Sequence, residues 1–395
     1  MRRLWLVVAM SGGVAHASPS HPNITGGTPD IADDGVVGLV AGGAIYCSGT
    51  LVSPRVVVTA AHCLVSTSVD AIAIGPDLAT AQTIAVIHAR THPDFDSLQL
   101  SADVGLVLLA GPAPAPATPW PLRSTPLDDS SVGASVRLVG YGLTSATGGG
   151  LAAKRQGTAS IASVSATTFD LSPNPSLTCG GDSGGPAFLT QDTTEYLAGI
   201  TSAGDVDCSV FSRMTRADVY RDYVADFVTA TSPGAAAAGQ RCYYDGHCAA
   251  GTCFFPADAP TVGYCAAPCT GDDDCAAGMS CVDAPPDGRQ CRYAQPSPGA
   301  LGSPCTDFAD CDALLCAHDA DGAWCSTICQ LDVPSSCPDD FTCATDTEQP
   351  ALDACFPSPA GGCTCTAGAG SDAAPLLIVL AAILRRRRRP PITGS

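Results

Sequence analysis

Short runs of apolar residues, separated by Gly, Pro, Asp and Ser, follow one another from Ile24 to about Val228. Runs of strand length at such spacing predict an all-β sandwich or barrel. The runs are Val36–Val40, Ile45–Val52, Val56–Thr59, Thr83–His88, Val104–Leu109, Val136–Val139 and Leu197–Ser202. One segment, Ala217–Thr229, predicts a helix that ends the domain, because apolar residues recur there at i, i+4 and i+8. These are Val219, Tyr223 and Phe227.

A different pattern begins after residues 231–240, an Ala- and Gly-rich segment that we interpret as a linker. Cysteines then recur every few residues and form two repeats of eight, at 241–293 and 305–356, joined by the Pro- and Gly-rich linker 294–304. Each repeat is too small to bury a large core, so we expect four disulfides to stabilise it. Eight cysteines allow about 105 pairings, and their spacing selects none of them.

Composition indicates the compartment and excludes some partners. The chain has 22 Cys among 395 residues, and none of them shows the C-x2-C spacing typical of zinc sites. We therefore expect disulfides in an oxidising environment, with no metal and no organic cofactor. The net charge of −19 disfavours binding to nucleic acid or to anionic membranes.

The N-terminus has the pattern of a secretory signal peptide. Arginines at positions 2 and 3 precede the apolar stretch Leu4–Met10, and residues 15–17 form an Ala-x-Ala cleavage site. We expect residues 1–17 to be removed on export.

The C-terminal segment, 357–395, resembles a second processing signal. Small residues and cysteines at 361–365 precede an apolar run of 12 residues at Ala373–Leu384, which five arginines at Arg385–Arg389 follow. As a helix, this run rises only about 18 Å, which is less than a hydrocarbon core of roughly 30 Å. The combination resembles the sorting tail of myxobacterial surface proteins, the MYXO-CTERM type. That resemblance implies a tail-processing sorting enzyme, a transient membrane contact and display on the bacterial cell surface; the alternative is a weak membrane anchor.

Three separate segments carry candidate chemistry. Thr59–Cys63 (TAAHC) offers His62, Ala102–Leu109 (ADVGLVLL) places Asp103 before an apolar strand, and Gly181–Pro186 (GDSGGP) places Ser183 in a glycine-rich turn. A serine nucleophile needs an imidazole to take its proton and a carboxylate to orient that imidazole. Glycines around the serine let the backbone turn sharply and approach a substrate.

The string around Ser183 also satisfies G-x-S-x-G, the nucleophile elbow of α/β-hydrolases. That fold requires the histidine to follow the serine, and the only later histidines, His247 and His318, lie inside the cysteine repeats. The order His, Asp, Ser and the absence of alternating helices argue against it.

Residues 24–230 resemble the chymotrypsin/trypsin-like S1 family of serine peptidases. The three motifs occur in the family's order, with separations of 41 and 80 residues between the histidine, aspartate and serine. The resemblance implies two six-stranded antiparallel β-barrels with a C-terminal helix, and a catalytic triad between the barrels. It makes His62 the general base, Asp103 the residue that orients it and Ser183 the nucleophile.

The resemblance assigns further residues around this triad. The backbone N–H groups of Gly181 and Ser183 would form the oxyanion hole, and Ser202 would line the substrate backbone. Two disulfides would flank the triad, Cys47–Cys63 beside the histidine and Cys179–Cys208 beside the serine.

The resemblance also implies activation by proteolysis. Ile24 and the residues after it resemble the mature N-terminus of the family, where a freed α-amino group pairs with the aspartate before the nucleophile, here Asp182. Residues 18–23 would be a short propeptide, removed by an activating protease. The residue before the cut is Asn23, so trypsin itself is not the expected activator.

The specificity pocket departs from that of trypsin-like members. Leu177 occupies the position at the pocket floor where those enzymes carry Asp, which argues against Lys or Arg specificity. Gly204 would leave one wall open to apolar side chains. Ser209 alone separates Cys208 from the next strand, so the pocket depth stays open.

The sequence therefore predicts a secreted or cell-surface serine endopeptidase that acts on proteins or peptides through an acyl-enzyme. The alternative is a catalytically silent binding or adhesion protein displayed through its cysteine-rich repeats. The repeats themselves could bind peptides, glycans or another cell, or act as a stiff stalk, and we favour the stalk. His88 and His92 are expected to be surface residues.

Overall fold

The computed structural model describes residues 24–143 and 153–358, apart from residues 307, 314, 332, 334 and 335. The predicted signal peptide 1–17, the propeptide 18–23 and the tail from residue 359 onward lie outside these residues. Among the residues described, no helix is both long and apolar enough to cross a membrane.

The first barrel follows a two-residue strand, β1 (Thr28–Pro29). Its six antiparallel strands are β2 (Val36–Ala41), β3 (Ala44–Ser53), β4 (Val56–Thr59), β5 (Ala71–Ile74), β6 (Gln82–Thr91) and β7 (Gly105–Leu109). They close in the order β2-β3-β4-β7-β6-β5. Strands β4 and β7 are buried along their whole length and belong to the core cluster of this barrel. Their runs of Val and Leu made them predictable.

The second barrel is also built from six antiparallel strands. They are β8 (Ser135–Gly140), β9 (Arg155–Val164), β10 (Thr168–Pro173), β11 (Pro186–Gln191), β12 (Thr194–Gly204) and β13 (Ser212–Arg216). The order β9-β10-β13-β12-β11-β8 closes through a pairing of β8 with β9, and β1 adds to β9 at its outer side. The predicted double six-stranded antiparallel barrel is confirmed.

Two α-helices accompany the barrels, α1 (Ala61–Ser66) and α2 (Arg221–Ala230). Helix α2 begins later than predicted, because the Ala217 N–H still hydrogen bonds to the Ala198 carbonyl of β12 at 2.9 Å. Val219 therefore precedes the helix and is 42% exposed, whereas Val224 and Phe227 form the buried face. Helix α1 has only six residues, too few for a helical period to show in the sequence.

Tyr141 joins the two barrels. It follows β8 of the second barrel, yet its fully buried ring packs with Val40, Ile45 and Ala73 of the first. Its hydroxyl donates to the Gly75 carbonyl at 2.6 Å. Tyr141 is thus one of several side chains of the second barrel that pack on the first, together with Val139 and Phe188.

The cysteine-rich part consists of four half-units, two in each repeat. Every half-unit contains two disulfides that join its first cysteine to its third and its second to its fourth. The pairs are Cys242–Cys253, Cys248–Cys265, Cys269–Cys281, Cys275–Cys291, Cys305–Cys316, Cys311–Cys325, Cys329–Cys343 and Cys337–Cys355. This pattern supplies the pairing that the cysteine spacing left open.

Each half-unit carries a small antiparallel sheet. The first has β14 (Arg241–Cys242), β15 (Thr252–Phe254) and β16 (Gly263–Ala266), and the others have the hairpins β17 (Met279–Asp283) with β18 (Arg289–Tyr293), β19 (Cys316–His318) with β20 (Ala323–Cys325), and β21 (Phe341–Thr345) with β22 (Asp353–Pro357).

Candidate active site

The first barrel brings His62 and Asp103 together. His62 is the second residue of α1, just after β4, and Asp103 lies two residues before β7, which pairs with β4. The His62 Nδ1 lies 2.8 Å from Asp103 Oδ2, and the His62 backbone N–H donates to Oδ1 at 2.9 Å. Both carboxylate oxygens thus hold His62, which orients the ring and leaves Nε2 as the proton acceptor.

Asp103 is fully buried, where a carboxylate without partners would be costly. Its Oδ2 also accepts the Ser202 hydroxyl at 2.6 Å. Because Ser202 lies on β12 of the second barrel, both barrels hold the aspartate. Ser202, assigned from the resemblance to substrate binding, uses its hydroxyl to orient Asp103.

Ser183 lies in a tight turn that leads into β11. Its neighbour Gly184 has φ +78°, and a Cβ there would lie 2.1 Å from Thr59 Oγ1 and 2.4 Å from the Ser48 carbonyl oxygen. Only glycine fits this approach. The Ser48 N–H also donates to the Ser183 carbonyl at 2.8 Å. The turn is therefore pressed against the first barrel, and Ser48 is a supporting residue that the sequence analysis missed.

The disulfide between Cys47 and Cys63 lies where Ser183 meets His62. The Cys63 sulfur is 3.8 Å from His62 Nε2 and 3.8 Å from the Ser183 carbonyl oxygen. Within the described residues, no hydrogen bond joins the Ser183 hydroxyl to His62 Nε2. Catalytic hydrogen bonds are often long without substrate and shorten when it binds.

Two backbone N–H groups beside the serine are open to a ligand. Those of Gly181 and Ser183 make no hydrogen bond to any described residue. Gly181 has φ +92°, and its carbonyl accepts the Ser48 hydroxyl at 3.0 Å. The disulfide between Cys179 and Cys208 closes the same segment. Two unoccupied donors at this place are suited to a developing oxyanion.

Ile24 and Asp182 are both fully buried and lie together in the second barrel. The Asp182 carboxylate accepts the N–H groups of Gly142 at 2.8 Å and Cys179 at 2.9 Å, and that of Ile24 as well. Burial raises the pKa of Asp182 to about 7, and these hydrogen bonds limit the rise. A cationic partner at the Ile24 nitrogen would therefore stabilise the ionised carboxylate.

Comparison with known families decides the classification. The family described as trypsin matches residues 24–224, just over half of the chain. The chain belongs to the trypsin family of serine proteases. Together with its many disulfides, this membership indicates an extracellular or secreted protein.

Individual relatives cover the same part of the chain. Serine protease 56 of Mus musculus is 30% identical over 251 residues, which are 55% of this chain and 41% of that protein. Brachyurin of Leptuca pugilator is 31% identical over 179 residues, which are 40% of this chain and 76% of brachyurin. Among solved structures, neuropsin from mouse brain is 24% identical with a TM-score of 0.46, covering 51% of this chain and 98% of that chain. This chain thus spans less than half the length of the mouse protease.

The trypsin-family domain has a cavity of about 330 Å³ beside Ser183. Two of the residues predicted to bind substrate, Ser202 and Gly204, line it. The other lining residues are Leu143, Thr178, Cys179, Gly180, Ser183, Thr201, Ala203, Asp205, Val206 and Cys208.

The other two predicted pocket residues do not line this cavity. Leu177 is fully buried beside Ile24, because its backbone is bonded on both sides to Thr25 and its side chain packs in the barrel core. Ser209 is exposed, and its N–H and hydroxyl donate to the Asp205 carboxylate. Position in a motif did not reveal which way these two side chains point.

Thr178 lines the cavity instead and is held by Ser212, which is fully buried and does not itself line the cavity. The Thr178 hydroxyl donates to Ser212 Oγ at 2.8 Å, and the Thr178 N–H donates to the same oxygen at 3.0 Å. Asp205 stands at the cavity wall; burial opposes its ionisation, but the N–H groups of Phe211, Ser209 and Val210 lower its pKa to about 2. The sequence signal that bears on Ser212 is the short segment after Cys208, which left the pocket depth open.

The described residues also include groups of three side chains of metal-ligand type. These groups consist of cysteines, with His62 added in one of them. All of these cysteines are in disulfides, and a disulfide sulfur is not the thiolate that binds metals.

Proposed function

We propose that the chain is an endopeptidase that hydrolyses peptide bonds through an acyl-enzyme formed on Ser183. The Ser183 oxygen attacks the peptide carbonyl carbon while His62 Nε2 takes the hydroxyl proton. Asp103, hydrogen bonded to Nδ1, stabilises the resulting imidazolium. The N–H groups of Gly181 and Ser183 bind the oxyanion. His62 then returns the proton to the leaving amine as the C–N bond breaks. In the second half, water attacks the acyl carbon while His62 takes its proton, and His62 returns this proton to the Ser183 oxygen as the ester bond breaks.

The observation that carries this proposal is the contact of both Asp103 oxygens with His62, next to a serine whose flanking N–H groups are unoccupied. A binding scaffold would have no use for a buried carboxylate oriented in this way.

A fluorophosphonate probe tests the proposal. We expect secreted protein, cut so that Ile24 is the first residue, to be labelled at Ser183, as mapped by mass spectrometry. The Ser183→Ala variant should not react. If Ile24 is shown to be free and Ser183 still stays unlabelled, the silent binding or adhesion protein becomes the better interpretation.

We further infer a preference for small or medium apolar residues before the scissile bond. The cavity has a volume of only about 330 Å³, and Thr178 in its lining is fixed by two hydrogen bonds to the buried Ser212. Asp205, the carboxylate in the described lining, already accepts the N–H groups of Ser209, Val210 and Phe211. A large aromatic ring or an unpaired Lys would be poorly accommodated.

Replacing Ser212 with glycine should deepen this cavity. We expect the ratio of kcat/KM for a Phe substrate to that for an Ala substrate to rise about tenfold, because room for extra carbon atoms changes selectivity by this order. Steady-state kinetics on a matched peptide series measures the ratio. The Ser209→Gly variant is the control, since Ser209 is also absent from the cavity lining but makes no hydrogen bond to Thr178. An unchanged ratio in Ser212→Gly would show that the contact between Thr178 and Ser212 does not limit the size of the substrate side chain.

Activation by a cut before Ile24 is the third part of the proposal. Ile24 has φ +37°, a region that a β-branched residue inside a chain adopts only at a cost. A chain that begins at Ile24 has no such constraint, and its α-amino group would bring a positive charge to Asp182.

The charge of Asp182 gives this step a pH signature. Before the cut, a pKa of about 7 keeps Asp182 protonated in the folded form but not in the unfolded form, so the free energy of unfolding falls as pH rises from about 4 to about 7. After the cut, the α-ammonium group should hold Asp182 ionised and remove this fall. We therefore expect the Tm of the cut chain to exceed that of the uncut chain by more at pH 7 than at pH 5.

Both forms are prepared as inactive Ser183→Ala protein, which prevents autolysis. The Asp182→Asn substitution should make the Tm increase on cutting the same at both pH values. An equal Tm increase at pH 5 and pH 7 in the chain with Asp182 would contradict the ion pair.

The setting of the enzyme follows from the terminal segments. We propose export by the signal peptide at residues 1–17 and display on the bacterial surface by the tail at 357–395, after an activating protease and a sorting enzyme have acted.

A further inference from the structure

The first cysteine-rich repeat (241–293) lies directly against the first barrel. The Tyr243 ring stacks on His88 of β6, with 4.7 Å between ring centroids, and the Arg55 guanidinium lies 4.0 Å above the Tyr244 ring. His88 also stacks on Phe227 of α2 at 6.1 Å. His88 is therefore a packing residue, contrary to its expected place on the surface.

The same repeat caps the C-terminal end of α2. His247 is 2% exposed, and its Nε2 lies 2.7 Å from the carbonyl oxygen of Ala230, the last residue of the helix. Since a carbonyl only accepts, His247 carries a proton on Nε2. The Tyr244 hydroxyl donates to the Thr231 carbonyl at 2.8 Å. The final carbonyls of a helix lack partners within it, and here the repeat supplies them.

The other end of α2 contacts the segment that carries Asp103. Tyr220 precedes the helix and Tyr223 lies in its first turn, and both rings meet the edge of His92 at 5.0 Å and 4.6 Å. The His92 backbone N–H donates to the carbonyl of Val104, the residue after Asp103, at 3.0 Å. His92, also expected on the surface, thus links the helix to the triad.

The segment before Asp103 needs such support. Leu100 and Ala102 have φ of +52° and +48°, and the Val104 N–H donates back to the Ala102 carbonyl at 2.7 Å. Side chains other than glycine keep this backbone conformation only where the surroundings hold it.

We propose that the first repeat is an intramolecular clamp on the catalytic unit. By holding the C-terminal end of α2, the repeat keeps Tyr220 and Tyr223 against His92. His92 in turn keeps Asp103 in the position where its carboxylate contacts His62. Tyr244, His247 and His92 are positioning residues in this scheme, and the repeat is more than the stalk predicted from the sequence. The inference rests on the proposed function.

Two substitutions in the full chain test the clamp, each with a matched control in the repeats. Tyr244→Phe and His247→Ala remove the caps of α2. Tyr293→Phe removes a similar hydroxyl bond, to the carbonyl of Gly239 in the linker before the repeat at 3.1 Å, and His318→Ala lies in the second repeat. We expect the first two to lower kcat about three- to tenfold with little change in KM. They should also lower the apparent pKa of the acid limb of kcat/KM, because a misplaced Asp103 stabilises the imidazolium less. The controls should match the parent in both readouts.

A second experiment does not depend on catalysis. A recognition site for a specific protease is inserted between Pro233 and Gly234, which are exposed, and the folded protein is cut there. No disulfide among the described residues joins residues 24–230 to the repeats, so only packing can hold the two pieces together. We expect them to co-elute in gel filtration and to separate in denaturant.

Pieces that separate under native conditions would overturn the clamp, as would Tyr244→Phe and His247→Ala variants with the parent's kcat and pH profile. Failure of the proposed function looks different: the parent itself, freed at Ile24, would stay unlabelled at Ser183. In that case, co-elution of the two pieces still tests the packing of the repeat against residues 24–230, independently of activity.

Discussion

The Asp103→Asn variant is expected to lose about four orders of magnitude in kcat while keeping its fold. The asparagine amide would donate to His62 Nδ1 and thereby place the ring proton on Nε2, which could no longer accept from Ser183. The Ser202 hydroxyl, which donates to the same carboxylate oxygen, would lose its charged acceptor as well. Single-turnover and steady-state kinetics on a peptide ester measure the loss.

Asp94→Asn is the matched control for this loss, because Asp94 also lies shortly before β7 but its side chain is 87% exposed. It should retain the parent's kcat. A fall of less than about tenfold in Asp103→Asn would be incompatible with the orienting role given to this carboxylate.

The Gly181→Ala variant is expected to lower kcat by about 10²- to 10³-fold. A Cβ at Gly181 would lie 2.9 Å from the Gly142 Cα, and the φ of +92° is unfavourable for alanine. The turn must then shift, and the Gly181 N–H leaves the position where the oxyanion forms. Kinetics on a small peptide substrate, together with Tm, separates this effect from unfolding.

Gly133→Ala controls for the backbone strain alone. Gly133 has a similar φ of +87°, but nothing lies within 4 Å of its added Cβ and it is remote from Ser183. We expect a reduced Tm with an unchanged kcat there. Equal kcat values for Gly181→Ala and the parent would remove Gly181 from the oxyanion hole.

The first barrel and the triad motifs were predictable for a physical reason. Strands β4 and β7 are buried on both faces, so every position except Thr59 is apolar or glycine, and His62 and Asp103 lie within three residues of them. Motif order then sufficed to bring the histidine and aspartate together, since β4 and β7 are hydrogen-bonded neighbours.

Much of the second barrel could not be predicted in this way. Strand β9 is largely Gly, Ala, Ser and Thr, and only Ala159 and Ile161 among its residues are buried. A strand with one small buried face gives almost no hydrophobic signal. Strand β13 gives little signal for another reason: four of its five residues are buried, but Met214 alone among them is apolar. Pairing with the neighbouring strands, rather than local preference, determines these strands.

Several contacts within the site could not be predicted from the sequence for a related reason. Whether Leu177 faces the cavity or the core depends on its backbone contacts with Thr25, a residue 152 positions away. The contact between Thr178 and Ser212 likewise joins two segments that carry no shared motif. His88 packs on Tyr243 of the first repeat, and His92 packs on Tyr220 and Tyr223, all far along the chain, and no local pattern contains that information.

The four disulfide half-units have a consequence for the lifetime of the protein. Each disulfide closes a loop of between 11 and 18 residues, and the two in a half-unit interleave, so few stretches of the repeats can extend far enough to enter a proteolytic cleft. A peptidase released among its own copies is exposed above all to self-digestion, which starts at segments that unfold locally. Interleaved crosslinks remove such segments from the part of the chain that has little hydrophobic core. This arrangement therefore provides resistance to proteolysis, and not rigidity alone.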